Sequence, residues 1–155
     1  MGRRGGIVGA EGSGKSTLLA RLGPAFEEAG WKVRRFAARP GEDAAARLRA
    51  LLREMEAGEL LLLDGFDHLS RIARFRLLRR AAKIGGLLAT SHRTEGVLPT
   101  LIDLAPTVEL FADLARDLAG EEVESLDFAE IHRRHGGNLR TALRELYDVW
   151  AVREG

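Results

Sequence analysis

The alternation of apolar and polar positions along the chain predicts strands and helices in turn. Ile7-Val8 is the apolar end of a short first strand in which Gly5 and Gly6 interrupt the run. Leu18, Leu19 and Leu22 give helical spacing to a segment from about Lys15 to Ala29 that stops at Gly30. Trp31 to Ala37 reads as a second strand, with Trp31, Val33, Arg35 and Ala37 on one face and Lys32 and Arg34 on the other. After the Arg39-Pro40-Gly41 loop, Asp43 is placed to cap a helix that carries Leu48, Leu51, Leu52 and Met55 on one face and ends at Gly58. Leu60-Leu61-Leu62-Leu63-Asp64 follows, and consecutive leucines are what a parallel strand covered on both faces requires. A third helix is expected from about Phe66 to Ile84, a fourth strand from Gly86 to Ala89 and a fifth from Thr107 to Phe111. Helices near Phe111–Leu118, Leu126–His135 and Leu139–Arg153 close the chain. Repeated β-α-β units predict an α/β fold: a three-layer α/β/α sandwich around a five-stranded parallel sheet, with a short C-terminal helical lid.

Composition narrows the class. At 155 residues the chain fits one compact unit, with residues 1–120 expected as the core and 121–155 as a short lid-like extension. No run is apolar enough to span a bilayer, and the Arg3-Arg4 start has no apolar leader behind it. Cysteine is absent, which removes disulfides, thiolate metal sites and thiol catalysis. A cytoplasmic protein is the expectation.

The balanced total of 24 basic and 23 acidic residues conceals an uneven layout. No acid lies between Asp67 and Glu95, a stretch that holds Arg71, Arg74, Arg76, Arg79, Arg80, Lys83 and Arg93. From Glu95 to Glu130, ten acids face one base, Arg116. This layout points to self-association or a partner subunit through the basic 71–83 and acidic 109–130 segments, or else to two solvated surfaces. Arg76, Arg79, Arg80 and Lys83 fall on one arc of the third helix. Nucleic acid is less favoured, because no exposed aromatics interleave this arc and the total charge is near zero.

The strongest chemical signal is Gly9-Ala10-Glu11-Gly12-Ser13-Gly14-Lys15-Ser16, which fits the phosphate-binding pattern G-x-x-x-x-G-K-[ST] between a strand and a helix. Its glycines let successive N–H groups turn inward toward phosphate oxygens, and the helix that opens near Lys15 adds the positive end of its dipole. Glu11, Gly12, Ser13, Gly14, Lys15, Ser16 and Thr17 are the expected nucleotide-binding residues. Lys15 is expected on the β- and γ-phosphates, the Ser16 hydroxyl on Mg²⁺, and Thr17 near the α-phosphate.

In an open parallel sheet ligands gather at the carboxyl ends of the strands. Asp64 ends the leucine run and is the natural second Mg²⁺ ligand. Asp67, three residues on, is placed either to orient the attacking water or to cap the next helix. Thr90 and Ser91, followed by His92 and Arg93, end the fourth strand, where a hydroxyl can meet the γ-phosphate or cap a loop.

With these motifs in hand, the chain resembles the ASCE division of P-loop NTPases, especially AAA+ and STAND ATPases. Asp64-Gly65-Phe66-Asp67 is similar to the Walker B motif of NACHT-type STAND proteins, in which a second acid lies three residues downstream. His135-Gly136-Gly137-Asn138-Leu139-Arg140 resembles the start of the AAA+ lid helix that carries the sensor 2 arginine. The resemblance implies a 5-1-4-3-2 strand order, ATP and Mg²⁺ binding, slow hydrolysis with Asp67 as the acid, γ-phosphate sensing by Thr90 or Ser91, and a role for Arg140. It also implies nucleotide-dependent switching or assembly. Where AAA+ proteins place an acid directly after the Walker B aspartate, this chain has Gly65.

From the residues alone, Gly136-Gly137 are suited to stop one helix and Asn138 to cap the next, with Leu139, Leu143, Leu146, Tyr147 and Trp150 as a core stripe. His132 and His135 have metal-ligand spacing without a third ligand. Two other classes stay open. Arg39-Pro40-Gly41-Glu42 with Arg47, Leu48 and Leu51 is similar to the acceptor-binding stretch of thymidylate kinase-like enzymes, although Asp64 lacks the arginine that follows it there. A non-hydrolysing, nucleotide-gated binding module would keep Lys15, Ser16 and Asp64 and dispense with the base.

Overall fold

The computed structural model describes residues 3–93, 97–123 and 125–151. Its strands are β1 (Arg4–Gly9), β2 (Val33–Ala37), β3 (Leu60–Asp64), β4 (Gly86–Ser91) and β5 (Thr100–Leu104). Its helices are α1 (Lys15–Glu28), α2 (Ala44–Glu54), α3 (Arg71–Ala81), α4 (Val108–Ala119), α5 (Phe128–Arg134) and α6 (Leu139–Ala151). The strands form one sheet in the order β2-β3-β4-β1-β5, which is the expected order read from the opposite edge. Its β1–β4, β2–β3 and β3–β4 pairings are parallel. The chain divides into two compact units, Met1–Val8 with Lys15–Asp103 and Gly9–Gly14 with Leu104–Gly155.

The first unit is built on β3. All four of its leucines are buried, each contributing about 2 kcal/mol of transfer free energy. Alternate residues face opposite ways. Leu61 and Leu63 join Leu87 and Ala89 of β4 in a cluster with Leu48, Leu52 and Met55 from the α2 side and Leu77 and Ala81 from α3. The other face of β3 and β4 is open to α1, which packs on both strands. Asp43 caps α2 as expected, its carboxylate accepting from Ala46 N at 3.2 Å. Gly5 and Gly6 do not interrupt β1. They are buried within it, and a Cβ on Gly5 would lie 2.0 Å from Leu101 Cδ1, so the absent side chain is what lets the β5 leucine close over β1.

Four expectations need correction here. On β2 the core residue is Phe36, while Arg35 is exposed and pairs with Glu27 at 2.9 Å. The expected third helix is in fact a 3-10 turn, Phe66–His68, followed by α3, which starts at Arg71. A Ser70 hydroxyl accepting from Ala73 N at 3.3 Å competes successfully with continuous helix. Strand β4 runs on to Ser91, so Thr90 and Ser91 are strand residues. The fifth strand is Thr100–Leu104, and the expected strand at Thr107–Phe111 is the start of α4. There Thr107 accepts from Leu110 N at 3.3 Å as an N-cap, and Glu109 favours the first helical turn.

The second unit is helical around Phe111, Ile131, Leu139 and Ala142. Asp127 caps α5. Gly136 and Gly137 end it with φ of 57° and 79°, the Gly137 N–H reaching back to His132 O at 3.0 Å. Asn138 then caps α6, accepting from Thr141 N at 3.2 Å. Leu143 and Leu146 pack partly against this cluster, but Tyr147 is 69% exposed and does not belong to the expected stripe. The Trp150 side chain and the expected helix end at Arg153 lie outside the described residues.

Candidate functional site

In the glycine-rich loop, Gly12 and Gly14 have φ of 73° and 92°, the left-handed region that glycine alone occupies without strain. Glu11, Gly14, Ser16 and Thr17 are exposed, Gly12 is half-buried, and Ser13 and Lys15 are buried. The Ser13 hydroxyl is buried without a hydrogen-bond partner. A Cβ on Gly14 would meet nothing within 4 Å, whereas one on Gly12 would fall 1.8 Å from Asn138 Oδ1. The open side at Gly14 and the orphaned hydroxyl fit a segment shaped to receive an oxyanion. Asn138 therefore does two things in the second unit: it caps α6 and it lies against Gly12. Sequence reasoning found only the first. Arg140 is exposed in the first turn of α6, two residues after that contact.

Within the first unit, the predicted residues at the start of α1 and the ends of β3 and β4 come together through hydrogen bonds. Ser16 Oγ donates to Asp64 Oδ1 at 2.9 Å, and Thr90 Oγ1 donates to the same oxygen at 2.7 Å. Thr90 Oγ1 in turn accepts from Gly65 N at 2.8 Å. Asp64 is also approached by Arg39 Nη1, 3.7 Å from Oδ2. A serine hydroxyl beside an aspartate carboxylate is a hard-oxygen donor pair of the kind Mg²⁺ takes alongside phosphate and water ligands.

Asp67 is brought to the same strand end, but by a different set of contacts. Ser91 Oγ donates to its Oδ1 at 2.7 Å, while the His92 backbone N–H and His92 Nδ1, the latter at 2.8 Å, both reach Oδ2. Burial works to raise this carboxyl, but the donors from His92 and Ser91 outweigh it and hold Asp67 below its ordinary value. An ionised carboxylate only accepts, so the proton of this pair resides on His92 Nδ1. Asp67 is therefore not the cap of α3; Ser70 is. The sequence reading gave no role to His92, whose signal was its position at the end of a predicted strand. The two hydroxyls differ as well: Thr90 serves Asp64 and Ser91 serves Asp67.

Gly65, between these acids, has φ of 84°, and a Cβ there would lie 2.5 Å from the Ala38 carbonyl oxygen. With the left-handed backbone and this close carbonyl, an acid directly after Asp64 is disfavoured in this chain.

The remaining predicted groups are held elsewhere. Arg74 donates to Leu69 O and Asp67 O and stacks over Phe66. Arg80 donates to Leu52 O at 3.0 Å and Met55 O at 2.6 Å, satisfying carbonyls at the end of α2. Lys83 lies beyond the end of α3, so the continuous basic arc is reduced to Arg76 and Arg79. His132 faces Pro106 O at 3.1 Å, and His135 pairs with Glu145. Among the described residues no three His, Cys, Asp or Glu side chains form a metal cluster, and no helix is long and apolar enough to cross a membrane.

No protein-family model and no curated protein matches the chain. Solved structures do. A point mutant of Thermotoga maritima RuvB is 18% identical with a TM-score of 0.64, covering 99% of this chain and 57% of that one. The Thermotoga maritima RuvB Holliday junction branch migration motor is 19% identical with a TM-score of 0.59, covering 90% and 52%. A second point mutant gives 19% and 0.61, covering 97% and 57%. The chain thus has the fold of these structures and spans just over half their length.

Proposed function

We propose that this chain is an ATP-binding P-loop NTPase of AAA+/STAND character: a slow, Mg²⁺-dependent ATPase that works as a nucleotide-dependent switch or assembly component. The observation that carries the reading is the hydrogen-bonded set Ser16, Asp64 and Thr90, in which the hydroxyl after the P-loop lysine meets the carboxylate at the end of the buried strand β3, one strand removed from β1. In this reading Glu11 to Thr17 receive the phosphates, with Lys15 as the charged donor, and Ser16 and Asp64 hold Mg²⁺. When bound, the cation supplies charge neutralisation at the phosphates. Thr90 holds Asp64 and the Gly65 amide in place, so it transmits the state of the metal ligand to the backbone. Arg140 is retained as a candidate contact to nucleotide. Residues 1–120 act as the core and 121–155 as the lid.

Slow turnover follows from Asp67. Ser91 on Oδ1 and His92 twice on Oδ2 take three of its roughly four acceptor sites and hold its carboxyl below the ordinary value, so it is a weak base with little room left for a water. The same fact favours a second reading, a binding module that holds ATP without cleaving it. The relatives of known structure include a branch migration motor; for this chain nucleic acid remains the less favoured partner, since its formal net charge is +1.

Offering γ-labelled ATP to the protein with Mg²⁺, water and a panel of nucleoside monophosphates tests the assignment. Label on inorganic phosphate supports the ATPase. Label on a nucleotide supports the kinase-like alternative, and tight binding without transfer supports the switch. Lys15→Ala is expected to abolish binding, and Asp67→Asn to spare binding and lower turnover. Undiminished nucleotide binding by folded Lys15→Ala would refute the whole reading.

A further inference from the structure

A groove of about 590 Å³ runs between α2 and α3, lined by Leu48, Leu52, Ala73 and Ile72 along its floor and lip and by Arg49, Arg53, Arg76 and Arg80 at its rim. Leu48 and Leu52 are buried, but Ile72 is 65% exposed, so apolar surface faces solvent here. No acid lines the groove. Seven arginines outside the groove, Arg34, Arg35, Arg39, Arg47, Arg116, Arg133 and Arg134, each pair with a carboxylate. Arg80 is used by the backbone carbonyls of Leu52 and Met55. Among the described residues no ion pair is recorded for Arg49, Arg53 or Arg76, all three exposed. Charge left unmatched around an apolar floor calls for an occupant with an apolar row flanked by an acidic one.

The chain itself presents that pattern. On α4, Leu110, Leu114 and Leu118 recur at i, i+4 and i+8, and Glu109, Asp113 and Asp117 recur at the same spacing in the adjacent row. Leu110 is 46% exposed and Leu118 67%, and the three acids are exposed as well. Asp113 has only a surface pairing with Arg116 at 3.0 Å, which is cheap to exchange. At about 1.5 Å per residue, the 12 residues of α4 match the reach of the 11-residue α2 and α3.

We infer that the α2–α3 groove of one copy receives α4 of a second copy. Leu110 and Leu118 cover the leucine floor, and Glu109, Asp113 and Asp117 meet Arg49, Arg53 and Arg76. The two surfaces differ, so the contact is heterologous and extends from copy to copy unless rotation closes it. It uses nothing of the nucleotide site and forms without ATP. Exposed charges carry much of it, so salt weakens it.

The test is sedimentation velocity of the full chain over a concentration series, without nucleotide, at low and high salt. Wild type is expected to associate at low salt and dissociate at high salt. A groove-reversed variant (Arg49→Glu, Arg53→Glu, Arg76→Glu) and a helix-reversed variant (Glu109→Arg, Asp113→Arg, Asp117→Arg) should each associate at least tenfold more weakly. Mixed in equal amounts, they should associate again, because each now supplies what the other lacks. Should a triple reversal fail to fold, the paired Arg53→Ser and Leu118→Ser variants, both at exposed positions, give the same comparison. Wild type that stays monomeric at low salt overturns the inference. So do reversed variants that associate like wild type, or folded variants that fail to recombine.

Discussion

Restoring an acid after Asp64 should damage this protein and not accelerate it. The perturbation is Gly65→Glu, with Gly65→Ala carrying the backbone effect alone. Two costs apply to both. A side chain at φ of 84° enters the left-handed region, costing about 1–2 kcal/mol. Its Cβ would also sit 2.5 Å from the Ala38 carbonyl oxygen, a backbone atom that cannot swing aside, and the required shift costs roughly 1–3 kcal/mol. Gly58 separates the two costs, because its φ is 96° yet a Cβ there meets nothing within 4 Å. Urea denaturation followed by far-UV circular dichroism should therefore rank Gly58→Ala near 1 kcal/mol and Gly65→Ala at about 2–5 kcal/mol, on the order of 10 °C in Tm for a chain of this size. Gly65→Glu should fall at or beyond the alanine value, with no gain in γ-phosphate release. Equal costs at the two glycines, or a Gly65→Glu protein of wild-type stability and faster turnover, would refute the steric argument.

Three further outcomes follow from the same region. Thr90→Val keeps the shape of a residue that is 2% exposed but leaves Gly65 N–H without its acceptor, so the urea midpoint should fall by the equivalent of about 2–3 kcal/mol, against about 1 kcal/mol for Thr90→Ser. Asp67 has a depressed carboxyl; its contribution is present above the unfolded value of about 3.8 and is lost as pH falls through the lower folded value. Acid titrations of wild type and Asp67→Asn should run parallel above that window and differ in slope only within it. Ser70→Ala should cost about 1 kcal/mol through loss of the α3 cap, read by the same urea midpoint, and should leave nucleotide affinity unchanged.

The sheet was legible in the sequence because its central strands are unambiguous. Leu60–Asp64 has no helical alternative of comparable quality, and the P-loop fixes what precedes it. Elements at the margins were harder to read. Strand β5 has four exposed residues, Thr100 to Asp103, so no alternating core pattern marks it, and the apolar Val108, Leu110 and Phe111 drew the prediction to what is a capped helix. On β2 the expected alternation put Arg35 on the core face and passed over Phe36, whereas Phe36 is the buried residue and Arg35 is exposed. Asp64, Asp67, Thr90 and Ser91 were singled out from the strand ends and are hydrogen-bonded there, but which hydroxyl serves which acid depends on the depth to which β4 runs. The pairing of His92 with Asp67 and the Asn138 contact with Gly12 were not legible, because each arises from packing between segments distant in sequence.

Gly65 and Asp67 explain one another. Residue 65 turns in the left-handed region against the Ala38 carbonyl, where an acid is costly, and the 3-10 turn that follows carries an acid at its centre. That residue is Asp67, and it lies against Ser91 and His92 where β4 ends. Asp64 and Asp67 are thus tied to adjacent residues of one strand, through Thr90 and Ser91 respectively. A change in what Asp64 holds is felt at Thr90, one residue from the hydroxyl that restrains Asp67. In the proposed reading this gives the chain a route by which metal and nucleotide occupancy can loosen the acid. That coupling suits a switch whose hydrolysis is slow and conditional better than a continuously cycling motor.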